Sequence, residues 1–519
     1  MIKKISLFIL SVVSFAVTSS CDGFLDKMPS KSTSQVITSA SQLDAVLETF
    51  TAFYQVTNNE SVAGHDDFGL TLELYNARPA SFTFLPIIYA GFWDTQYLPL
   101  DTRASAWTAE YGKIFRANLV LNNLGKVTGT EAEKSELRAE AHLVRAVSYL
   151  ELAHTYTLPY TEETKDELGL ALKQSTSFEE LSERSNLADT YALIESDIEE
   201  ALKIKAHLLK DGRVRHWRGN IGAANAYAAR YWLGRNDYVK AQQYAEAALS
   251  EYNQLLDYNT DMYYSTVSRS PIKIYPDPAQ PDYFENFDVL YPYTYDNQTN
   301  FIDMIGWPEF YYFRLHYYGS WWYVPSPELV AIYDQQFDLR FKYHFVEGYS
   351  YDSPALMTNP AHFWYGYIFF FKDRIPAGPT VAEMLLTKAE AQARQGDING
   401  AVATVNILRA KRFDNAAPAN IVNLTASSRE DAVKKILEER RREMPFYIRR
   451  FDIRRFNTND DAFDDEALSK TFYPFDGTAI QSGSPPVNYT LNKGDRKWAS
   501  PIPNTEIISS QGNIQQNQY

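Results

Sequence analysis

Glu439 and Glu443 stand four residues apart with Arg440, Arg441 and Arg442 among them. That spacing puts both carboxylates on one face of a helix. A carboxylate pair could act as acid and base in glycoside hydrolysis, where a set separation across a cleft is required. Nothing motif-like marks such a pair here. Arginines beside carboxylates also hold them ionised, the wrong state for a general acid, so the cluster reads as a structural ion network. The eight histidines show no H-E-x-x-H or other ligand spacing. Asn58-Asn59-Glu60-Ser61 and Gly64-His65-Asp66-Asp67 could offer oxygens to a cation, but neither forms a recognised binding loop. These patterns yield no catalytic residue, no metal site and no cofactor, and the chain is read as a protein that is not an enzyme.

Binding chemistry is better represented. The chain carries 37 Tyr, 30 Phe and 9 Trp, and Tyr on this scale suits amphipathic contact surfaces, because the ring buries while the hydroxyl stays bonded. Two stretches concentrate them, Tyr89 to Tyr97 and Trp307 to Tyr323, the second containing Tyr311, Tyr312, Tyr317, Tyr318, Trp321 and Trp322. Trp93, Tyr97, Trp307 and Trp321 are the expected ligand contacts, set against the alternative that any one ring is packing between loops and scaffold.

The only cysteine, Cys21, closes the stretch Ser11 to Cys21. Ahead of it lie Lys3 and Lys4 and an apolar run, Ile5 to Val17, too short to span a bilayer. Charge, apolar run and small residues are the layout of an export signal, and the terminal Cys makes it a lipoprotein signal with Cys21 as the lipidated residue. Thr18 is a weak match to the aliphatic residue usual at that place. A net charge of −15 repels phosphate backbones, so nucleic-acid binding is not expected.

The elements that must position these residues are mainly helices. Apolar residues recur at three- and four-residue steps from Trp107 to Leu124, and small residues line one face of Glu131 to Tyr156. Ser41 to Phe50, Leu187 to Lys205 and Ile221 to Leu233 continue the series. Ala229 to Ala241 and Ala389 to Ala401 match at an offset of 160 residues: an alanine-lined helix, a tight turn containing Asp237 or Asp397, then a second alanine-lined helix. Paired helices that cover a neighbour's apolar face are the layout of tetratricopeptide-type units. Asn58 to Ala106, Tyr252 to Thr380 and Asn457 to Asn492 lack a helical period and read as loops and short strands.

The C-terminal part carries the most specific motifs. Glu439 to Glu443 form E-R-x-x-E, Arg450 to Arg455 form R-x-D-x-x-R, Pro501 to Ile507 form P-I-P-x-x-E-I, and Gln516 to Tyr519 form Q-N-x-Y. With Cys21-Asp22-x-Phe24-Leu25-Asp26-x-x-Pro29 and the helices at Trp107 and Arg145, the chain resembles the RagB/SusD family over nearly its whole mature length. One departure is Phe446-Tyr447-Ile448 where many members have F-E-G. The resemblance implies a cell-surface lipoprotein of the Bacteroidetes outer membrane, held by a lipid anchor. It would sit as a lid on a SusC-like TonB-dependent transporter and capture an oligosaccharide ligand, with contacts from loops in both aromatic stretches. Some relatives take peptides, which leaves a peptide-capturing lid open. The expected organisation is a signal peptide at 1–20, a tether at 21–40, a helical region at 41–251 and a C-terminal region at 252–519 with the loop-rich ligand face. The fold class is mainly α, a tetratricopeptide-like scaffold with an aromatic-rich insertion.

Overall fold

The computed structural model describes residues 37–77, 105–177, 183–264, 271–274, 279–280, 282–283, 285–288, 292–293, 305–317, 323–346, 365–370, 374–476 and 479–519. Ten helices carry the architecture: α1 Ala40–Glu48, α2 Ser105–Asn123, α3 Glu131–Tyr156, α4 Leu187–Ala201, α5 Ile221–Gly234, α6 Tyr238–Glu251, α7 Val381–Arg394, α8 Ile398–Arg412, α9 Arg429–Glu443 and α10 Arg449–Phe456. Neighbours pack as α2 on α3, α3 on α4, α5 on α6, α6 on α7, and α7 on both α8 and α9. The scaffold is therefore a run of helical hairpins, as the sequence predicts.

Local chemistry fixes where these helices start. Thr130 and Glu133 form a reciprocal capping box at α3, and Ser39 with Gln42 does the same at α1. Asn186, Asn220, Thr380 and Ser428 each accept from the backbone amide three residues on, in the first turn of α4, α5, α7 and α9.

The 160-residue offset is a true structural repeat. In the turn between α5 and α6, Asn236 has φ 59°; in the turn between α7 and α8, Gly396 has φ 90°. Asp237 N–H donates to Trp232 O at 3.0 Å and Asp397 N–H to Gln392 O at 2.9 Å, the closing bond of a Schellman motif. Each aspartate then caps the next helix, accepting from Lys240 N at 3.0 Å or Gly400 N at 2.9 Å. Ala226, Ala229, Ala245, Ala248, Ala382, Ala389, Ala393 and Ala401 are all buried in one core with Met384, Leu386, Val405 and Leu408. Small side chains let the helix axes come close, so the hairpins stack tightly.

A second core is built differently. Trp307, Phe310, Phe313, Tyr323, Tyr343, Phe345, Tyr367, Phe369 and Phe370 pack with Phe446, Tyr447 and Phe451 and with Val56, Phe68 and Leu74. The strands here are short. β1 Gln55–Val56 runs parallel to β2 Leu315–Tyr317, which pairs antiparallel with β3 Arg374–Pro376. β4 Leu468–Phe472 and β5 Val487–Leu491 form a separate hairpin. Gly378 permits the closest approach: a Cβ there would lie 1.9 Å from Tyr312 O. Within Tyr252 to Thr380, read from the sequence as loops and short strands, short helices stand at Pro327–Ala331 and Leu339–His344. Within 58–77, two short helices, Asn59–Ala63 and Leu72–Ala77, stand where only irregular chain is predicted. No helix among the described residues is long and apolar enough to cross a membrane.

Candidate functional site

The conspicuous carboxylates are locked by arginines drawn from distant elements. Glu439 is fully buried and its carboxylate meets Arg340 at 2.8 Å, Arg442 at 2.9 Å and Arg409. Glu443 meets Arg412 at 2.9 Å and Arg340 at 3.0 Å, and Arg412 continues to Glu309 at 2.9 Å. Burial alone would raise the pKa of Glu439, but the Arg340, Arg409 and Arg442 guanidiniums outweigh it and hold the group far below the usual carboxylate range. Glu443 is lowered likewise: burial opposes ionisation, and Arg412 and Arg340 overcome it. Neither group can hold a proton to donate near neutral pH. The structural ion network read from the sequence is what the fold contains.

The same logic runs through R-x-D-x-x-R. Asp452 accepts from Arg440 at 2.8 Å and Arg455 at 2.9 Å. Arg455 and Arg394 both reach Glu390, at 2.7 Å and 2.9 Å. The terminal motif fastens the tail. Asn517 Nδ2 donates to Tyr156 O at 3.0 Å and Ser500 O at 2.7 Å, and its Oδ1 accepts from Arg184 at 2.8 Å. Gln516 exchanges two bonds with the Ile502 backbone, at 2.7 Å and 2.9 Å. The family-like motifs thus hold the scaffold together and do not themselves form a ligand face. At the F-E-G departure, Phe446 takes φ 70° and its amide donates to Asp67 at 2.9 Å. Tyr447 is buried with its hydroxyl on the Glu151 carboxylate.

His65, Asp66 and Asp67 come close enough to suggest a cation site, but both aspartates are already matched. Arg441 reaches Asp67 at 2.7 Å and Asp66 at 3.0 Å, and Arg449 reaches Asp66 at 2.9 Å. A cation there would meet two guanidiniums. Burial also lowers His65 to about 4, against the pull of Asp67 and Asp66, so the ring is neutral. Asn58, from the other candidate cluster, donates to Thr155 Oγ1 at 2.7 Å.

The predicted ligand contacts divide sharply. Trp93, Tyr97 and Trp321, like Cys21, lie outside the described residues. Trp307 does not present a ring face. It is 3 % exposed and meets Phe369 edge-on at 5.0 Å and Phe370 at 5.4 Å. The expectation for Trp307 is therefore corrected to a core role, because partners more than sixty residues along the chain cover it. Tyr311 and Tyr312 are buried as well, and Tyr311 donates to Tyr252 O at 2.6 Å.

The described chain around Trp321 is firmly held. Tyr323 is buried, its hydroxyl 3.0 Å from His316 Nδ1. Tyr317, at the end of β2, is half-buried and paired in register with Arg374 of β3. The Arg374 guanidinium stands 5.0 Å from the Tyr317 ring centroid. Nothing in the sequence links Arg374 to this ring, since the pairing depends on strand register between segments far apart. Before the segment that carries Trp93 and Tyr97, Tyr75 packs on Phe472 at 5.3 Å and Asn76 donates to the Tyr473 hydroxyl at 2.9 Å. After it, Trp107 packs on Tyr156 at 5.1 Å. Both aromatic segments thus spring from rigid anchors.

A family model described as starch-binding and associating with the outer membrane matches residues 23–233. A second, described as the SusD family, matches residues 381–519. No curated protein sequence matches the chain. Solved structures match along nearly its whole length. A SusD-like protein from Bacteroides fragilis NCTC 9343 superposes with a TM-score of 0.59 at 17% identity, covering 92% of this chain and 96% of its own. Surface glycan-binding protein A from Bacteroides uniformis gives 0.56 at 17%, covering 92% and 99%. A laminarin-binding SusD-like protein gives 0.52 at 18%, covering 92% and 98%. The likeness is one of fold, and together with two matching models that span both ends of the chain it establishes that the chain belongs to the RagB/SusD family.

Proposed function

We propose that this protein is a non-catalytic, surface-exposed glycan-binding lipoprotein that captures an oligosaccharide and delivers it to a SusC-like TonB-dependent transporter in the outer membrane. Family membership is the observation that carries the reading, and the two neighbours described as glycan-binding and laminarin-binding support it. Trp93, Tyr97 and Trp321 supply ring faces for the sugar. Cys21 carries the lipid, and residues 21–40 serve as a tether for the helical body.

The paired carboxylates of α9 offer no general acid. Glu439 and Glu443 carry no proton to donate, and Glu390 is likewise held ionised by Arg455 and Arg394 against its burial. A binding screen of neutral oligosaccharides against oligopeptides tests the ligand class. Saccharide binding with no released product is expected. Binding of peptides alone would replace the reading with a peptide-capturing lid. Membrane partition of a Cys21→Ala form tests the anchor: that form should be recovered in the soluble fraction, and retention in the membrane would remove the lipid from the account.

A further inference from the structure

In a chain of net charge −15, residues 203–218 run the other way. They hold Lys203, Lys205, Lys210, Arg213, Arg215 and Arg218 against one acid, Asp211. The segment links α4 to α5 and forms a small hairpin, Leu209–Lys210 paired with Arg213–Val214. Asp211 and Gly212 turn it at φ 51° and 73°, as a two-residue hairpin turn requires. A cleft of about 500 Å³ opens beside it. Its walls are Asp44 of α1, Glu136 and Glu140 of α3, and Lys205, Lys210, Arg215 and Arg218 of the segment. Small-molecule sites fall in a range of roughly 300–1,000 Å³.

The two walls differ in what their charges already hold. Glu136 accepts from the backbone amides of Lys205 at 3.0 Å and Ala206 at 2.9 Å. Glu140 accepts from Arg218 at 2.6 Å and from Gly219 N at 2.9 Å. Asp44 is paired with Arg218 at 2.8 Å, and Glu48 with the same guanidinium. His207 is beside Glu251 at 3.0 Å. Each of these carboxylates therefore has a donor, although Arg218 is the one cation shared by Asp44, Glu48 and Glu140. The side chains of Lys205, Lys210 and Arg215 make no hydrogen bond or ion pair among the described residues, although Arg215 stands 6.0 Å from the Trp217 ring centroid. Leu209 at the lip is 53 % exposed.

We propose that this cleft binds an anionic oligosaccharide, with its carboxylate or sulfate groups on Lys205, Lys210 and Arg215 and a ring face against Leu209. The saccharide nature of the ligand rests on the function proposed above; the preference for negative charge rests on the cleft alone. Charge-assisted hydrogen bonds to unpartnered cations supply the attraction. Because these cations face water, salt must weaken it.

Calorimetry of the full chain with trigalacturonic acid and with its fully methyl-esterified form tests this, since the two differ in charge and not in ring or linkage. The acid should bind about tenfold tighter than the ester at low salt. That advantage should disappear at high salt and in the Lys205→Gln/Lys210→Gln/Arg215→Gln variant, whose unaltered melting curve checks its fold. Equal affinity for acid and ester, or an undiminished preference in the triple variant, would each overturn the proposal. If neutral saccharides bind and charge adds nothing, only this inference fails; if no saccharide of either kind binds, the proposed function fails with it.

Discussion

At the scale of single residues, the buried carboxylates are the features most exposed to test. Glu439 sits among Arg340, Arg409 and Arg442 with no access to water. Removing its charge leaves Arg409 buried without an anion, while Arg340 keeps Asp338 and Glu443 and Arg442 keeps Glu438; losing one partner of a buried pair costs about 3–5 kcal/mol. Glu439→Gln should lower the urea midpoint accordingly, and an unchanged midpoint would show the network to be expendable. Glu390 gives a pH test. Its ordinary value of 4.5 falls to about 2 in the fold, where Arg455 and Arg394 outweigh burial. A lowered folded value contributes stability that is complete above pH 4.5 and is lost as pH falls towards 2, roughly 3 kcal/mol across the window. Urea unfolding at pH 6 and pH 3 should therefore show a steeper loss in the wild type than in Glu390→Gln. The local half of this network was legible, because the arginines stand beside Glu439 in the sequence. Arg340, Arg409, Arg412 and Glu309 were not, since only tertiary packing brings them in. Trp307 failed for the same reason: a Trp in a proline-rich, aperiodic stretch looks the same whether Phe369 and Phe370 later cover it or not.

At the scale of elements, the two hairpin turns do one job with different residues. Gly396 holds φ 90° with open space around a built Cβ, so Gly396→Ala meets only the conformational penalty, about 1–2 kcal/mol. Asn236→Gly at the matching turn relieves the left-handed backbone but gives up long side-chain hydrogen bonds to Thr458 Oγ1 at 3.2 Å and from the Tyr238 hydroxyl at 3.3 Å, so it should cost less than Gly396→Ala. Thermal melts of both variants check the pair, and equal losses at both turns would contradict the equivalence. The repeat could be read beforehand because alanine spacing, a turn and a capping aspartate are all local signals. Helix boundaries followed within a few residues wherever a Ser, Thr, Asn or Asp cap preceded an apolar period, as at Thr130 and Asn186. The basic segment 203–218 was hidden by the net charge, which averages its six cations against the acids of the whole chain. The register that pairs Tyr317 with Arg374 leaves no local trace at all.

At the scale of the whole molecule, the tail and the scaffold are one unit. Asn517 joins the C-terminus to the end of α3, across 361 positions of sequence, and also reaches Ser500 and Arg184. Asn517→Ala should cost about 1–3 kcal/mol, the range for stranding buried hydrogen-bonding partners, read as a lower melting temperature with glycan affinity unchanged. Loss of affinity at equal stability would instead place the tail in the ligand site. The residues that mark the family stabilise the scaffold.

The account's central claim is that the molecule holds a saccharide on aromatic faces and leaves it intact. Isothermal titration of the wild type with a glycan found in the screen, followed by chromatography of the recovered ligand, measures both halves at once, and Trp93→Ala/Trp321→Ala repeats it without the faces. The account predicts saturable binding by the wild type, unaltered ligand, and a loss of about tenfold or more in the variant. Shortened ligand, or full affinity in the variant, would contradict it.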